Sequence, residues 1–220
     1  MTRFKELCID TAEDGSALGR FWAAATGGDY VTSGPDDPGD VVSDVEERGI
    51  AICRVAEPKT VKHRVHLDLH TDSVESLLAL GATAAPGYRA DDPWTVLLDP
   101  EGGELCGFVR DEVPAYKVSE LIIDAVDPKS ITAWWGGVFG SEPRNEGQAW
   151  WWLDDVPGMP FGAFLFQPVP EPKTVKNRIH WDVYGDVDDL LARGATHLWD
   201  QPRWTVLADP EGNEFCVFPE

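Results

Sequence analysis

Two short patterns, Arg64-x-His66-x-Asp68 and Arg178-x-His180-x-Asp182, concentrate the residues of this chain best suited to chemistry. A neutral imidazole can ligate a divalent metal or move protons near neutral pH. A guanidinium grips carboxylates and phosphates. On a strand, alternate residues project from one face. Arg64, His66 and Asp68 then share a face, with Val65, Leu67 and Leu69 on the other. Arg178, His180 and Asp182 separate in the same way from Ile179, Trp181 and Val183. The apolar face suits packing under helices, which turns the polar face inward. A buried polar group left unpaired costs roughly 1–3 kcal/mol. Such a stripe therefore either forms a salt-bridged network or lines a site.

The elements that must hold these residues come in copies. EPKTVKHRVHLDL (Glu57–Leu69) returns as EPKTVKNRIHWDV (Glu171–Val183), and WTVLLDPEGGELCGF (Trp94–Phe108) returns as WTVLADPEGNEFCVF (Trp204–Phe218). The chain is thus a tandem of two homologous halves, joined through the polar, Pro-containing DEVPAYK segment at Asp111–Lys117. Each half divides again. Phe4–Asp10 reads as a strand, Ser16–Ala25 as an amphipathic helix ended by Gly27-Gly28, and Gly49–Val55 as a strand. The pattern then restarts with a strand over His63–His70 and a helix over Val74–Leu80, with Asp72 as its N-cap and Glu75 completing a capping box. A hairpin follows, turning on Asp99-Pro100-Glu101-Gly102. The second half repeats the scheme, with Asp186 as N-cap and Gly194 as C′. One strand, one short helix and about three strands occur four times.

Composition bounds the function. The 220 residues are 43% apolar, enough for a core, and carry a formal charge of −21, which disfavours nucleic acid and anionic membranes as partners. Four dispersed cysteines without a CxxC pair, and an N-terminus lacking an apolar run, point to a reduced protein in the cytoplasm. Against the acidic background, six of the 18 Lys and Arg fall in the repeated stretches: Lys59, Lys62, Arg64, Lys173, Lys176 and Arg178. A small carboxylate or phosphate could dock there, or these cations simply neutralise nearby Asp and Glu. Eight of the ten Trp lie in the second half, where Trp150 and Trp152 would share a strand face and could stack on a planar ligand, if they are not core. No Gly-rich phosphate loop, GxSxG elbow or HExxH is present.

With its DPEGNEFC hairpin, its RIHWD strand and its module order, the chain resembles the vicinal oxygen chelate superfamily, and within it the glyoxalase-like, bleomycin-resistance-type branch. The resemblance covers nearly the whole chain and is strongest in Glu57–Phe108 and Glu171–Phe218. It implies an α+β fold of tandem glyoxalase-like domains, 1–112 and 116–220. Four βαβββ modules would form two cup-shaped mixed sheets flanked by short helices, one cup per half. Metal-using relatives carry a His on the first strand of a module and a Glu on its last. His66 and His180 match the His. The Glu position holds Cys106 and Cys216, with Glu104 and Glu214 two residues earlier. The first module of each half offers Cys53 or Gln167 on its last strand and Leu7 or Leu121 on its first, where no ligand atom is available. The resemblance thus implies His66 with Cys53, Cys106 and Glu104, and His180 with Gln167, Cys216 and Glu214, around a divalent metal (Zn, Ni, Fe or Mn) or around none.

The function implied is a small molecule held in a cup. His66 and His180 would be catalytic, with Arg64, Asp68, Arg178, Asp182, Trp150 and Trp152 against the substrate, in lyase, isomerase or dioxygenase-type chemistry. The alternative is a metal-free protein that sequesters a small drug-like compound, and a plain scaffold is a third reading. Whether the chain is an enzyme stays open, as does its state: a monomer with intrachain domain pairing, or a homodimer.

Overall fold

The computed structural model describes residues 1–87 and 93–220. The first module runs β1 (Arg3–Thr11), α1 (Ser16–Thr26), β2 (Asp29–Val31), β3 (Asp40–Val42) and β4 (Ile50–Arg54). The second runs β5 (Val65–Thr71), α2 (Val74–Ala79), β6 (Thr83–Ala84), β7 (Thr95–Leu98) and β8 (Glu104–Val109). The third comprises β9 (Val118–Ala125), α3 (Pro128–Phe139), β10 (Trp151–Leu153) and β11 (Ala163–Pro168), with an isolated bridge between Arg144 and Trp152 where its siblings have a further strand. The fourth comprises β12 (Ile179–Tyr184), α4 (Val187–Ala192), β13 (Thr196–Asp200), β14 (Thr205–Ala208) and β15 (Glu214–Phe218). Among the described residues no helix is long and apolar enough to cross a membrane.

Local chemistry explains the helix ends. Asp186 caps α4 by accepting from the Asp189 N–H at 2.9 Å, and Gly194 follows the helix at φ 104°. On α2 the cap is Ser73, whose Oγ accepts from the Ser76 N–H at 3.2 Å, one residue later than the expected Asp72. α1 ends on Gly27 at φ 90°, where a Cβ would stand 2.1 Å from the Ala115 carbonyl of the linker. Only glycine fits there.

The modules combine across the halves. The eight-stranded sheet has the order β13-β14-β15-β12-β1-β4-β3-β2, and the seven-stranded sheet β10-β11-β9-β5-β8-β7-β6. Each sheet therefore joins one module from each half, through the antiparallel pairs β1–β12 and β5–β9. The expectation of one cup per half is corrected: the first module pairs with the fourth, and the second with the third. Sibling strands are alike enough that their patterns fit either partner. The turns also bind within a half. Glu101 accepts from the Ala12 N–H at 3.1 Å, beside the end of β1, and Glu211 accepts from the Val126 and Asp127 N–H groups at 2.8 and 2.7 Å, beside the end of β9.

The two hairpin turns differ at one place. Asn177 and Asn213 bond side chain to side chain at 2.9 Å, and Asn213 also donates to Asp209. The first half has His63 and Gly103 instead, and a Cβ on Gly103 would stand 2.5 Å from Asp99 Oδ2 and 2.7 Å from His63 Cε1. Gly103→Asn alone should therefore cost about 1–3 kcal/mol by overpacking, and adding His63→Asn should return most of it. Urea melts of the two singles and the double check this coupling.

His63→Asn also carries a pH signature. Burial, opposed by Glu104, lowers the His63 imidazole from 6.5 to about 4. A depressed base gives stability that is complete above pH 6.5 and lost as pH falls through the folded value. Between pH 7.5 and pH 5 the wild type should lose up to about 2 kcal/mol from this group, and His63→Asn should not lose it. Melts at the two pH values measure the difference.

Candidate active site

Strand alternation builds the polar face of the eight-stranded sheet. Leu7 and Ile9 on β1, and Ile179, Trp181 and Val183 on β12, are buried in the core beneath the helices. Their neighbours Glu6, Cys8 and Asp10, with His180 and Asp182, turn to the other face and line a cavity of about 1080 Å³. Register sets the rows: Cys8 opposes His180, Asp10 opposes Cys53, and Asp182 opposes Cys216. His180 Nε2 lies 3.5 Å from Cys216 Sγ and 3.9 Å from Asp182 Oδ1, and the Cys8 and Cys53 sulfurs are 2.6 Å apart. Two triplets of ligand-bearing groups share the imidazole: Cys8, Asp10, His180 and His180, Asp182, Cys216.

Electrostatics in this cup are those of a dry site. Burial, helped by the Lys176 charge, lowers the His180 imidazole to about 3, so the ring is neutral at physiological pH. Burial raises Asp182 to about 7. The Cys8 and Cys216 thiols are also pushed up, first by burial and then by neighbouring thiol and carboxylate groups. His180 Nδ1 and Asp182 Oδ1 are buried without a protein partner. Each such group costs roughly 1–3 kcal/mol when nothing bonds it. At the mouth, Trp199 and Trp204 line the same cavity, and Trp204 stacks on Phe218 at 5.3 Å and 23°.

The seven-stranded sheet repeats the plan with different side chains. His66 lies 3.6 Å from Asp68 Oδ1, and Asp68 opposes Cys106. Burial lowers His66 to about 4 and raises Asp68 to about 7. Where the first cup has Cys8 opposite His180, this one has Ile122 opposite His66. Where it has Cys53, this one has Gln167, whose Nε2 donates to Asp124 at 2.7 Å. By register, Trp152 faces Leu165, Leu165 faces Ile122, and Ile122 faces His66, so these side chains share one row.

The expected groupings change accordingly. Cys53 belongs with His180 and Cys216, and Gln167 with His66 and Cys106, because the sheets exchange modules. Trp152 shares the His66 face rather than that of His180, and Trp150, just before β10, is 41% exposed. The first-strand residues that face the cups are Cys8 and Ile122 rather than Leu7 and Leu121, which are core residues. Glu104 and Glu214 are ion-paired: each accepts from a lysine, Lys59 at 3.1 Å and Lys173 at 2.6 Å, and from the backbone N–H of His63 or Asn177, and Glu214 still lines the cup cavity with His180 and Cys216. Arg64 and Arg178 leave the cups altogether. Each reaches across to a carbonyl of the opposite half, Glu171 O and Glu57 O respectively.

The family described as a glyoxalase-like domain matches residues 6–108 and again residues 120–218. The chain belongs to this glyoxalase-like family. Among solved structures, glyoxalase I from Zea mays superposes with a TM-score of 0.72 at 10% identity, covering 100% of this chain and 92% of that one. A putative dioxygenase from Bacillus subtilis subsp. subtilis str. 168 superposes with a TM-score of 0.65 at 11% identity, covering 99% and 84%. Identities this low speak for the vicinal oxygen chelate fold alone. A search of curated proteins finds no match.

In this glyoxalase-like protein the residues that sequence reasoning missed are Cys8 and Asp10. The signal was present, since Cys8 alternates with Leu7 and Ile9, both apolar and core-facing. Shifting the expected ligand position by one residue moves it from the core to the cup.

Proposed function

We propose that the cup of the eight-stranded sheet is the working site, where a small oxygen-bearing molecule binds beside a soft divalent metal. The observation that carries this is the convergence of Cys8, Cys53, Cys216 and His180 on one concave face, while the corresponding face of the other sheet has Ile122 at one position and Gln167 at another. The buried, unpartnered His180 Nδ1 and Asp182 Oδ1 fit such a role. Thiols with one imidazole favour zinc over magnesium or manganese. They also differ from the two-His, one-carboxylate set of non-haem iron oxygenases, which favours isomerase or lyase chemistry over dioxygenase chemistry. Zinc held by His180 with thiols from this set would supply a Lewis acid for a carbonyl oxygen.

The chain's own residues do the rest. His180 is neutral and so needs no proton released before it ligates. Asp182 stands beside it to orient the ring or a ligand hydroxyl. Trp199 and Trp204 offer faces to a planar substrate at the mouth. The four free thiols suit a reducing compartment.

Metal-free sequestration of a small molecule is the second reading. It is favoured by the raised thiols, which resist deprotonation, and by the acidic lining from Glu6, Asp40, Asp44 and Glu46, which suits a cation. Titration calorimetry of chelator-treated protein separates the two. One zinc per chain supports the metal site. No zinc uptake, with an aromatic cation quenching tryptophan fluorescence, supports the binder.

A further inference from the structure

A second cavity, of about 950 Å³, lies between the two halves, where the repeated EPKTVK segments face each other. It adjoins the cup of the eight-stranded sheet, sharing Asp10, Val55 and Lys176 with it, but His66 and His180 do not line it. Its walls are chemically mixed. Val61 and Val175, one from each repeat, supply apolar surface, and charged side chains of both signs stand beside them, the acidic ones being Asp10, Glu57, Asp124 and Glu171.

The two ends of the cavity are unequal. At the second-half end polar groups are satisfied: Asn177 bonds Asn213, and Arg178 pairs with Glu101 at 3.4 Å. At the first-half end they are not. His63 is 7% exposed, lines the cavity, and has no partner on either ring nitrogen. Glu104 Oε2 stands 4.0 Å from its Nδ1, beyond hydrogen-bond reach, and already accepts from the His63 backbone N–H, while Oε1 is held by Lys59. Beside His63, Arg64 donates to two backbone carbonyls, Glu171 O at 2.7 Å and Asp124 O at 2.8 Å, but makes no ion pair among the described residues. Its Nε is buried without a partner. Carbonyl partners satisfy N–H groups but leave the guanidinium charge unneutralised. Two successive cavity-lining residues, His63 and Arg64, thus each keep a nitrogen without a partner, in a chain of formal charge −21.

We infer that this interdomain cavity binds a small molecule carrying one oxyanion on an apolar body, with the oxyanion against His63 and Arg64. A carboxylate or phosphate oxygen accepts from both groups and neutralises the guanidinium. The apolar body lies along Val61 and Val175. The duplicated chain has made one end of a near-symmetric cavity specific, because His63 and Gly103 replace the self-satisfied Asn177–Asn213 pair. The inference does not depend on what the cups do.

The test is a titration of the full chain, labelled with nitrogen-15 at histidine, followed by NMR. The probes are benzoate, inorganic phosphate and benzamide, the last having the same ring without charge. The expected result is a saturable shift of the His63 ring signals with benzoate or phosphate, their order telling carboxylate from phosphate, while His180 stays unmoved. His63→Asn identifies the signal by its loss and copies a residue the second half already tolerates. It should weaken anion binding about ten-fold, the effect of one hydrogen bond to a charged group. Isothermal titration calorimetry reads that affinity independently. Silence of His63 with both anions, an equal shift with benzamide, or unchanged affinity in His63→Asn would overturn the inference.

Discussion

His180→Ala should lower the proposed zinc affinity by at least about 100-fold, and His66→Ala should leave it unchanged. The magnitude follows from ligand loss: removing even an outer partner of a ligand costs about 10- to 100-fold, so removing the ligand should cost no less. The asymmetry follows from register. Both histidines occupy the same position in sibling modules, both are more than nine-tenths buried, and both have a neighbouring Asp and Cys. They differ in what the paired module brings. β1 sets Cys8 opposite His180, and β9 sets Ile122 opposite His66. An isoleucine supplies no donor atom, and Gln167 is already bonded to Asp124. Cys216→Ser and Cys8→Ser should weaken zinc binding as well, since a hydroxyl is a far poorer soft ligand than a thiolate. Competition with a chromophoric chelator measures all four variants. Circular dichroism separates lost ligands from lost fold.

Trp135→Ala destabilises the chain by about 3–5 kcal/mol, the range for deleting a large buried aromatic. That is a large part of the roughly 5–15 kcal/mol that holds a typical domain together. Trp135 is fully buried on α3 and sits where the two sheets meet. It stacks on Phe139 at 5.1 Å and meets Phe164 of β11 edge-on at 5.6 Å. It also meets Trp181 of β12 and Phe215 of β15, at 5.3 and 4.9 Å, and its Nε1 donates to Asp209 at 3.1 Å. One indole therefore contacts strands of both the seven-stranded and eight-stranded sheets and ties a turn to them. Its loss opens a cavity and leaves the Asp209 carboxylate short of a donor. Trp135→Phe should cost distinctly less, because the ring contacts persist and only the hydrogen bond and part of the volume go. Denaturant unfolding followed by both circular dichroism and fluorescence should show one transition, shifted by the same amount for each probe, since the indole couples the two sheets.

Much of this was legible in the chain itself. Alternation placed His66 and Asp68, and His180 and Asp182, on inward faces, and turn chemistry fixed the hairpins at Asp99 and Asp209. The repeat gave the four modules. Three things were not legible. Which modules share a sheet depends on pairing between near-identical strands, and their sequences satisfy either choice; this moved Cys53 and Gln167 between cups. The ligand position on β1 was misjudged by one residue, and in a period-two element one residue changes the face, so Leu7 stood in for Cys8. Arg64 and Arg178 obey alternation on paper, yet each sits just before its strand begins, where the chain leaves the sheet and the side chain reaches the opposite half. Glu104 and Glu214 likewise point toward the segment they anchor, because Lys59 and Lys173 return to meet them.

The most direct test of the account is anomalous diffraction at the zinc edge from crystals grown with one equivalent of zinc. The account predicts one strong peak on the concave face of the eight-stranded sheet, within bonding distance of His180 Nε2 and of sulfur from Cys216 or Cys8. A peak at His66 with none at His180, or no protein-bound zinc at either histidine, would contradict it.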